Sequence, residues 1–467
     1  MKRFPLCRIG LGFFVLFTGC QLPSATDRGS VSQKITERMG LTVGPPRPLD
    51  QVIVPPGLAL DQPIIEDHAV LLALWNNAAF QDLLVDLQLT KADLIQAGLL
   101  PNPEVVYFFY TPEKPFKYAL DMPIEALWLR PIRIRAAERE NARATERLTQ
   151  AALDLIRDTR QAYSDLVLAR ERVKVAEEAV KLRSRIAELA EGRLKARAAS
   201  VQEVATARID ALLAKQDLAR IGFEVALAEE RMKNLTGLGA TPQPFLVVDT
   251  AAESYPEWDA DALVDEAVRS RPDAISAEIA VQAATERLHL AKVGWVRLLG
   301  ILDATSGRNT GHEFGPAFRV TLPIFNRNQG GIARAEAEAE QLCRRRLTVH
   351  NQIILDVKLA HIRMRQTTVE VDLLRKNVRP EVDAAIRRAE NAYKDGNASY
   401  LLSLEASRQL IDTLNREAQL KADQRRAWAD LERSVGRRLN TPEVSASLPV
   451  KSEPVTPPSS PPQTKSP

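Results

Sequence analysis

Five histidines and three cysteines are the residues of this 467-residue chain best suited to hold a metal or attack a substrate. Their spacing suits neither task. His289, His312, His350 and His361 stand at no ligand interval from a cysteine or a carboxylate pair. Cys7, Cys20 and Cys343 are too scattered for a zinc framework or a disulfide scaffold. Gly237-Leu238-Gly239 lacks the lysine of a phosphate loop, and a helix C-cap explains it better. No catalytic constellation is present, so neither an enzyme nor a cofactor is expected. What remains is carboxylates near expected helix–helix turns, Glu203 and Glu405, which taken singly are ordinary solvated glutamates. The net charge of +3, from 63 basic and 60 acidic residues, comes without a basic cluster and argues against a nucleic-acid partner.

The N-terminus reads as a targeting segment. Lys2, Arg3 and Arg8 precede an apolar run from Ile9 to Phe17, too short for a permanent membrane span. It ends at Phe17-Thr18-Gly19-Cys20, which resembles a bacterial lipobox with Phe17 in place of the usual leucine or β-branched residue. That resemblance implies acylation of Cys20 as the mature N-terminus; the alternative is an ordinary signal peptide. Gln21 follows where an aspartate would resemble an inner-membrane retention signal, which points to the outer membrane. Cys343 is then the remaining thiol, expected as a structural cysteine in a helix.

The elements that would position the acidic residues are written twice. Met122-Pro123-Ile124 recurs as Leu322-Pro323-Ile324, 200 residues on. Ala199-Ser200 recurs as Ala398-Ser399, and the Gly237 end as Gly436, 199 residues on. Each half should open with a helix (Asp67–Gly98, and about Ala260–Val293). Two short strands follow: Glu104–Tyr110 with Tyr118–Ile124, and 296–304 with 317–324. A very long helix comes next, 132–191 and 332–395, the second kinked or broken at Pro380. A return helix closes each half, 200–235 and 399–435. Ala152, Thr159, Leu166, Val173, Val180 and Ala187 form one seven-residue row, and Leu155, Ala162, Ala169 and Ala176 another. Such a small-residue seam packs long helices closely side by side.

The last strand decides the solvent around it. Phe318, Val320, Leu322 and Ile324 should share one face; Ala317, Arg319 and Thr321 should share the other. An apolar face opposite an Arg–Thr face suits a barrel wall with lipid outside and a wet lumen, although a sheet lying on a protein core shows the same alternation. Four strands cannot close a barrel, so closure would need several copies. Tyr107, Phe108, Phe109 and Tyr110 could form an aromatic girdle.

With this layout, the chain resembles the TolC-like outer-membrane factor family over about residues 67–437. Leu100-Pro101-Asn102-Pro103 resembles its entry to the first strand. The run from Leu322 to Glu336, LPIFNRNQGGIARAE, is close to a word of its heavy-metal-efflux branch. Pro123-Ile124-Glu125, Arg130 and Arg133-Ile134 fit a second such word, with Ala126, Leu127, Trp128 and Leu129 in place of its small residues. Arg271-Pro272-Asp273 resembles the start of the second half. Tyr393, Gly396, Ala398 and Ser399 resemble the periplasmic tip, with Arg197 replacing the glycine in the first half.

The resemblance implies a mainly α fold with a small β part: a duplicated strand–long-helix-hairpin unit, assembled as a trimeric α-helical tunnel with a shared twelve-stranded β-barrel. It implies a passive exit duct, anchored in the outer membrane and reaching into the periplasm. The partners implied are a periplasmic adaptor and an inner-membrane transporter. Glu203, Glu405, Tyr393 and Gly396 would lie at the pore tip, Arg319 and Thr321 in the lumen, and Phe318, Val320 and Leu322 against lipid. The chain divides into a signal peptide (1–19), a lipid-anchored extended arm (20–66), two repeats (67–250 and 251–437) and a disordered Pro- and Ser-rich tail (438–467). Heavy-metal ions are the substrate class suggested. A type I secretion duct and a lipid-anchored periplasmic spacer that never enters the membrane are the alternatives.

Overall fold

The computed structural model describes residues 26–48, 51–109, 116–248, 255–307 and 311–439. Cys20, Tyr110 and the tail from 440 lie outside them. The chain forms ten α-helices and one four-stranded sheet among these residues.

The arm, expected to be extended, contains a helix, α1 (Arg28–Met39). Asp27 caps it by accepting from the Ser30 amide while Ser30 Oγ accepts from the Asp27 amide. Val31, Ile35 and Met39 recur at helical spacing and are buried, which is why this segment docks instead of trailing.

The single helix expected over 67–98 is two, α2 (Glu66–Asn76) and α3 (Ala78–Gly98). Asn77 breaks it: its side chain caps α3 by accepting from the Phe80 amide and donates to the Leu235 carbonyl. The second half breaks likewise into α6 (Ala260–Ser270) and α7 (Pro272–Val293). Here Pro272 forces Arg271 out of the helical region, and Arg271 Nη1 donates to the Ser434 carbonyl at 3.0 Å. In both halves, then, the residue at the break caps the end of that half's return helix.

Strands β1 (Glu104–Phe108) and β2 (Phe116–Pro123) come from the first half, β3 (Leu298–Gly307) and β4 (Gly311–Val320) from the second. They form one antiparallel sheet in the order β1-β2-β3-β4. β4 ends at Val320, so Thr321, Leu322 and Ile324, expected in the strand, lie in the connection to the next helix. Phe109 also falls outside its strand.

α4 (Glu125–Lys195) is 71 residues long, roughly 105 Å at helical rise. It begins seven residues earlier than expected and runs through Pro131. The carbonyl deprived of a donor by the proline belongs to Leu127, in an exposed turn where water can replace the bond. α5 (Val201–Leu235) returns beside it. In the second half α8 (Gln329–Leu373) passes through a π-helical segment, Leu374–Val378, into α9 (Arg379–Lys394). The break expected at Pro380 is this π segment, which absorbs the missing amide and the ring's clash just ahead of the proline. α10 (Tyr400–Val435) returns.

The helices pack side by side as a wall. Nearer the sheet the neighbours run α3, α4, α7, α8; away from it they run α5, α4, α10, then α8 and α9. α4 therefore buries more than its two expected rows: Leu153, Ile156, Tyr163 and Val167 are buried as well. Midway along the rod, Arg160 of α4 is buried and pairs with buried Glu432 of α10 and, at 3.3 Å, with Asp67 of α2. Asp67 also receives Arg438 at 2.9 Å. Burial pushes the Glu66 carboxyl up; at Asp67 burial acts in the same sense, but Arg160 and Arg438 outweigh it and the carboxyl is lowered. The carboxylates likewise outweigh burial at Arg160 and hold its guanidinium protonated. Replacing Arg160 with alanine strands Glu432 in the interior and should cost about 3–5 kcal/mol. The check is a lowered unfolding midpoint, with Glu432→Ala/Arg160→Ala recovering part of the loss.

Candidate functional site

Three places carry the chemistry of a duct: the hairpin tips, the sheet and the two free edges of the wall.

At the tips, both helical hairpins turn through the same motif. Gly396 has φ +78 and the Asn397 amide reaches the Ala392 carbonyl; Arg197 has φ +57 and the Ala198 amide reaches the Arg193 carbonyl. Arg197 thus occupies the left-handed position that Gly396 fills in the second half, as the 199-residue offset implies. Ser200 caps α5 through the Glu203 amide at 3.1 Å.

The two tips are tied to each other. Buried Tyr393 donates its hydroxyl to Glu203 Oε1 at 2.8 Å. Tyr400 donates to Asp210 Oδ2 at 2.6 Å. Arg193 lies 4.6 Å over the Tyr393 ring and donates to the Tyr393 carbonyl. Burial first, then the bond to Glu203, pushes the Tyr393 phenol up to about 12, and Tyr400 is pushed up by burial and then by its own bond to Asp210. Glu405 takes no part in this: it is exposed and, among the described residues, accepts from Gln409 one helical turn on. Tyr393 and Glu203, expected at the pore tip, lie beside the hairpin turns, where Arg193, Tyr400 and Asp210, which the sequence analysis did not single out, join them. A signal was present, because both Tyr393–Tyr400 and Glu203–Asp210 are seven apart and Arg193 is the 200-residue counterpart of Tyr393.

In the sheet, the register sorts residues by face. Glu104, Lys117, Asp121, Asp303, Thr305, Glu313 and Arg319 fall on one side, which carries the sheet's charges but also Val106, Leu299, Ile301 and Phe108, the last expected in the girdle with Tyr107. Val105, Tyr107, Tyr118, Leu120, Met122, Leu298, Leu302, Phe314, Phe318 and Val320 fall on the other. Lys117 and Asp303 pair at 2.9 Å, and Arg319 reaches toward Asp121 at 4.0 Å. Among the described residues no protein core covers the apolar face: Phe318 is 76% exposed and Phe314 66%. Tyr107 and Phe109 pack edge to face at 5.1 Å, exposed, where an aromatic girdle was expected.

The wall's two edges are apolar and bare. On one edge α3 exposes Leu89 and Ile95, and α5 exposes Ile209, Leu213, Phe223 and Leu227. On the other, α8 exposes Leu355, Leu359, Ile362, Val369 and Leu373 at a 4-3-7-4 stride. Cys343, expected to be structural, is exposed on α8. No group of three or more potential metal-binding side chains occurs among the described residues.

A sheet with one bare apolar and one charged face, on a wall of long helices, defines a channel-type fold. Residues 263–437 match the outer membrane efflux protein family. The chain is 24% identical over 387 residues to the cobalt-zinc-cadmium resistance protein CzcC of Cupriavidus metallidurans, covering 80% of this chain and 90% of that one. It is 25% identical over 290 residues to the cation efflux system protein CusC of Escherichia coli K12, spanning 63% of that protein. Among solved structures it resembles the outer-membrane channel OprN (TM-score 0.69, 17% identity, 80% of this chain and 90% of that one). The CusC channel is similar (TM-score 0.67, 18% identity, 79% and 91%). Residues 263–437 are thus similar to the outer membrane efflux proteins, the chain is homologous to CzcC and CusC, and its fold is that of the solved OprN and CusC channels.

Tyr393→Phe removes a hydrogen bond to a carboxylate, worth roughly 2 kcal/mol, and should loosen the tip. Because the folded phenol titrates above its ordinary value of 10, the bond is intact below pH 10 and is lost as pH rises through about 12. Single-channel recording should show the variant open more often than wild type by about tenfold or more at neutral pH. That difference should hold to pH 10 and shrink above it.

Proposed function

We propose that this chain is the outer-membrane duct of a tripartite efflux pump, passing divalent heavy-metal ions delivered by an inner-membrane transporter and a periplasmic adaptor. One observation carries the reading: the sheet has a bare apolar face and a charged face, and it stands on a wall whose two edges are also bare. Different apolar edges on one subunit join head to tail, and such contacts close into a ring. Three copies supply twelve strands, enough to close a barrel that four cannot. The charged face then lines water, with Arg319 in the lumen, and Phe318 and Val320 meet lipid. β3 and β4, each ten residues, have membrane-strand length. In this reading the duct is passive and the energy comes from the inner-membrane partner. The Tyr393–Glu203 and Tyr400–Asp210 bonds hold the tip closed until the partners dock.

Metal ions are favoured by the name of the CzcC relative, which spans most of the chain. Acylation of Cys20 fits the reach of the arm. Asp27 lies beside α3 near Lys91, and seven residues separate it from Cys20. That length spans at most about 24 Å, enough to pass the roughly 10 Å of helix between Lys91 and the end of α3.

Deleting the gene should raise sensitivity to cobalt, zinc or cadmium; a change confined to dyes and antibiotics would overturn the metal assignment. Val320→Arg puts a charge on the lipid face and should cost about 2–4 kcal/mol at mid-membrane, impairing assembly, whereas Arg319→Val should assemble with altered conductance. Equal tolerance of both, read as heat-modifiable oligomer in outer-membrane fractions, would favour the periplasmic spacer.

A further inference from the structure

Between the sheet and Arg160, two arginines stand in the wall without a partner. Arg147 of α4 and Arg345 of α8 are exposed, and neither side chain makes an ion pair or a hydrogen bond among the described residues. Both line one groove of about 290 Å³ between α4, α7 and α8. Arg143 and Arg346 line it too, held to Glu140 at 3.0 Å and to Glu278 at 2.6 Å. The groove's own carboxylates are engaged from elsewhere. Asp154 is taken by Arg433 of α10 at 2.7 Å, and Asp273 by buried Arg271 at 2.5 Å. The duplication does not supply the two bare arginines. Their counterparts at the 200-residue offset are Leu347 and Thr145, so the packing common to both halves does not require them.

The groove opens on the face of the wall away from α1 and α2. At 3.6 residues per turn, Ile124, Glu146 and Arg160 fall on one side of α4, within roughly 40° of one another. There Glu146 meets Lys34 of α1, and Arg160 meets Asp67 of α2. Arg147, Ala151 and Asp154, which line the groove, are centred roughly 130° away. Ile124 also marks the sheet. A Cβ on Gly300 would meet its Cδ1 at 2.6 Å, and Gly300 stands opposite Met122 and Phe318, on the apolar face. The groove therefore shares its side of the molecule with the sheet's charged face. In the ring proposed above that side is the tunnel, and the groove lies between the two edges that close it.

Unpaired arginines on the wall of a cation duct are electrostatically out of place, because basic groups around a pore favour anions. A guanidinium stays charged at any working pH, and its planar fork matches two oxygens of a phosphate or sulfate. We infer that this groove is an oxyanion site, in which Arg147 and Arg345 take a free phosphate- or sulfate-type dianion from solution. The dianion sets two charges against two and removes the repulsion that a divalent cation meets at this level. The site is complete within one chain. Its place in a tunnel rests on the duct reading, which it deepens by adding a ligand and making cation passage depend on it.

The test uses full-length protein in planar bilayers under a potassium chloride gradient, at a mildly alkaline pH where phosphate is the dianion. Added inorganic phosphate or sulfate should move the wild-type reversal potential toward cation selectivity, whereas chloride at matched ionic strength should not. Arg147→Gln/Arg345→Gln should conduct, prefer cations more than the phosphate-free wild type, and ignore phosphate. Arg147→Lys/Arg345→Lys keeps the charge without the fork and should respond to an intermediate degree. In detergent, phosphate should raise the unfolding midpoint of the wild type and not of the double glutamine variant. Wild type that ignores phosphate in both assays, or a glutamine variant that responds as wild type does, overturns the site. Arginine-dependent stabilisation in detergent without conductance from any reconstituted protein upholds the site and overturns the duct. Conducting protein that phosphate stabilises but whose reversal potential it leaves unmoved overturns the effect on cation passage.

Discussion

Long helices packed through small residues have no intrinsic end-to-end register: an alanine-rich seam repeated every seven residues looks much the same after a slip of one heptad. The buried charges around Arg160 supply what the seam lacks. Arg160 must meet Glu432 and Asp67 or lie unpaired in the interior, so α4, α10 and the start of α2 can align in one way only. Arg438, just past α10, ties the chain end beyond that helix to the same Asp67. Arg38 of α1 donates to the Ser270 and Gly436 carbonyls and so joins α1 to the ends of α6 and α10. The sheet at one end and the tips at the other inherit their alignment from this belt.

The duplication is followed closely where the backbone turns and less closely where the helices run. Gly237 and Gly436 both take left-handed conformations after the return helices, each against the break of its own half. An added Cβ at Gly237 would sit 2.4 Å from the Asn76 carbonyl oxygen, a contact no other residue tolerates. Between those fixed points the halves diverge. The first-half helix is continuous over 71 residues, whereas the second passes through a π segment at 374–378. Arg375 and Arg379, at and just after that segment, both engage Glu417 of α10. One hairpin is thus straight and the other jointed, and the hydroxyl–carboxylate bonds at the tip hold the jointed one to the straight one.

The periodic features of the sequence were legible without coordinates. Heptad rows, the 199- and 200-residue offsets, the break at Pro380, Arg197 in the place of Gly396 and the two-faced strand around Arg319 all follow from spacing along the chain, which fixes which residues share a face. The misses have a common cause as well. Asn77 breaks a helix because it caps two of them, one distant in sequence. α1 folds because its apolar stripe finds a groove made by α2, α3 and α4. Thr321, Leu322 and Ile324 alternate as a strand would, but no partner strand extends to meet them.

Sequence by itself therefore determined the period and the repeat, since these follow from residue spacing along one chain. Tertiary structure decided which carboxylate matters at the tip, because Glu203 meets Tyr393 across two hairpins while Glu405 points into water. It also decided how many faces α4 buries, and which surfaces are left bare. Those outcomes depend on distances between segments far apart in the chain, and no local pattern encodes them.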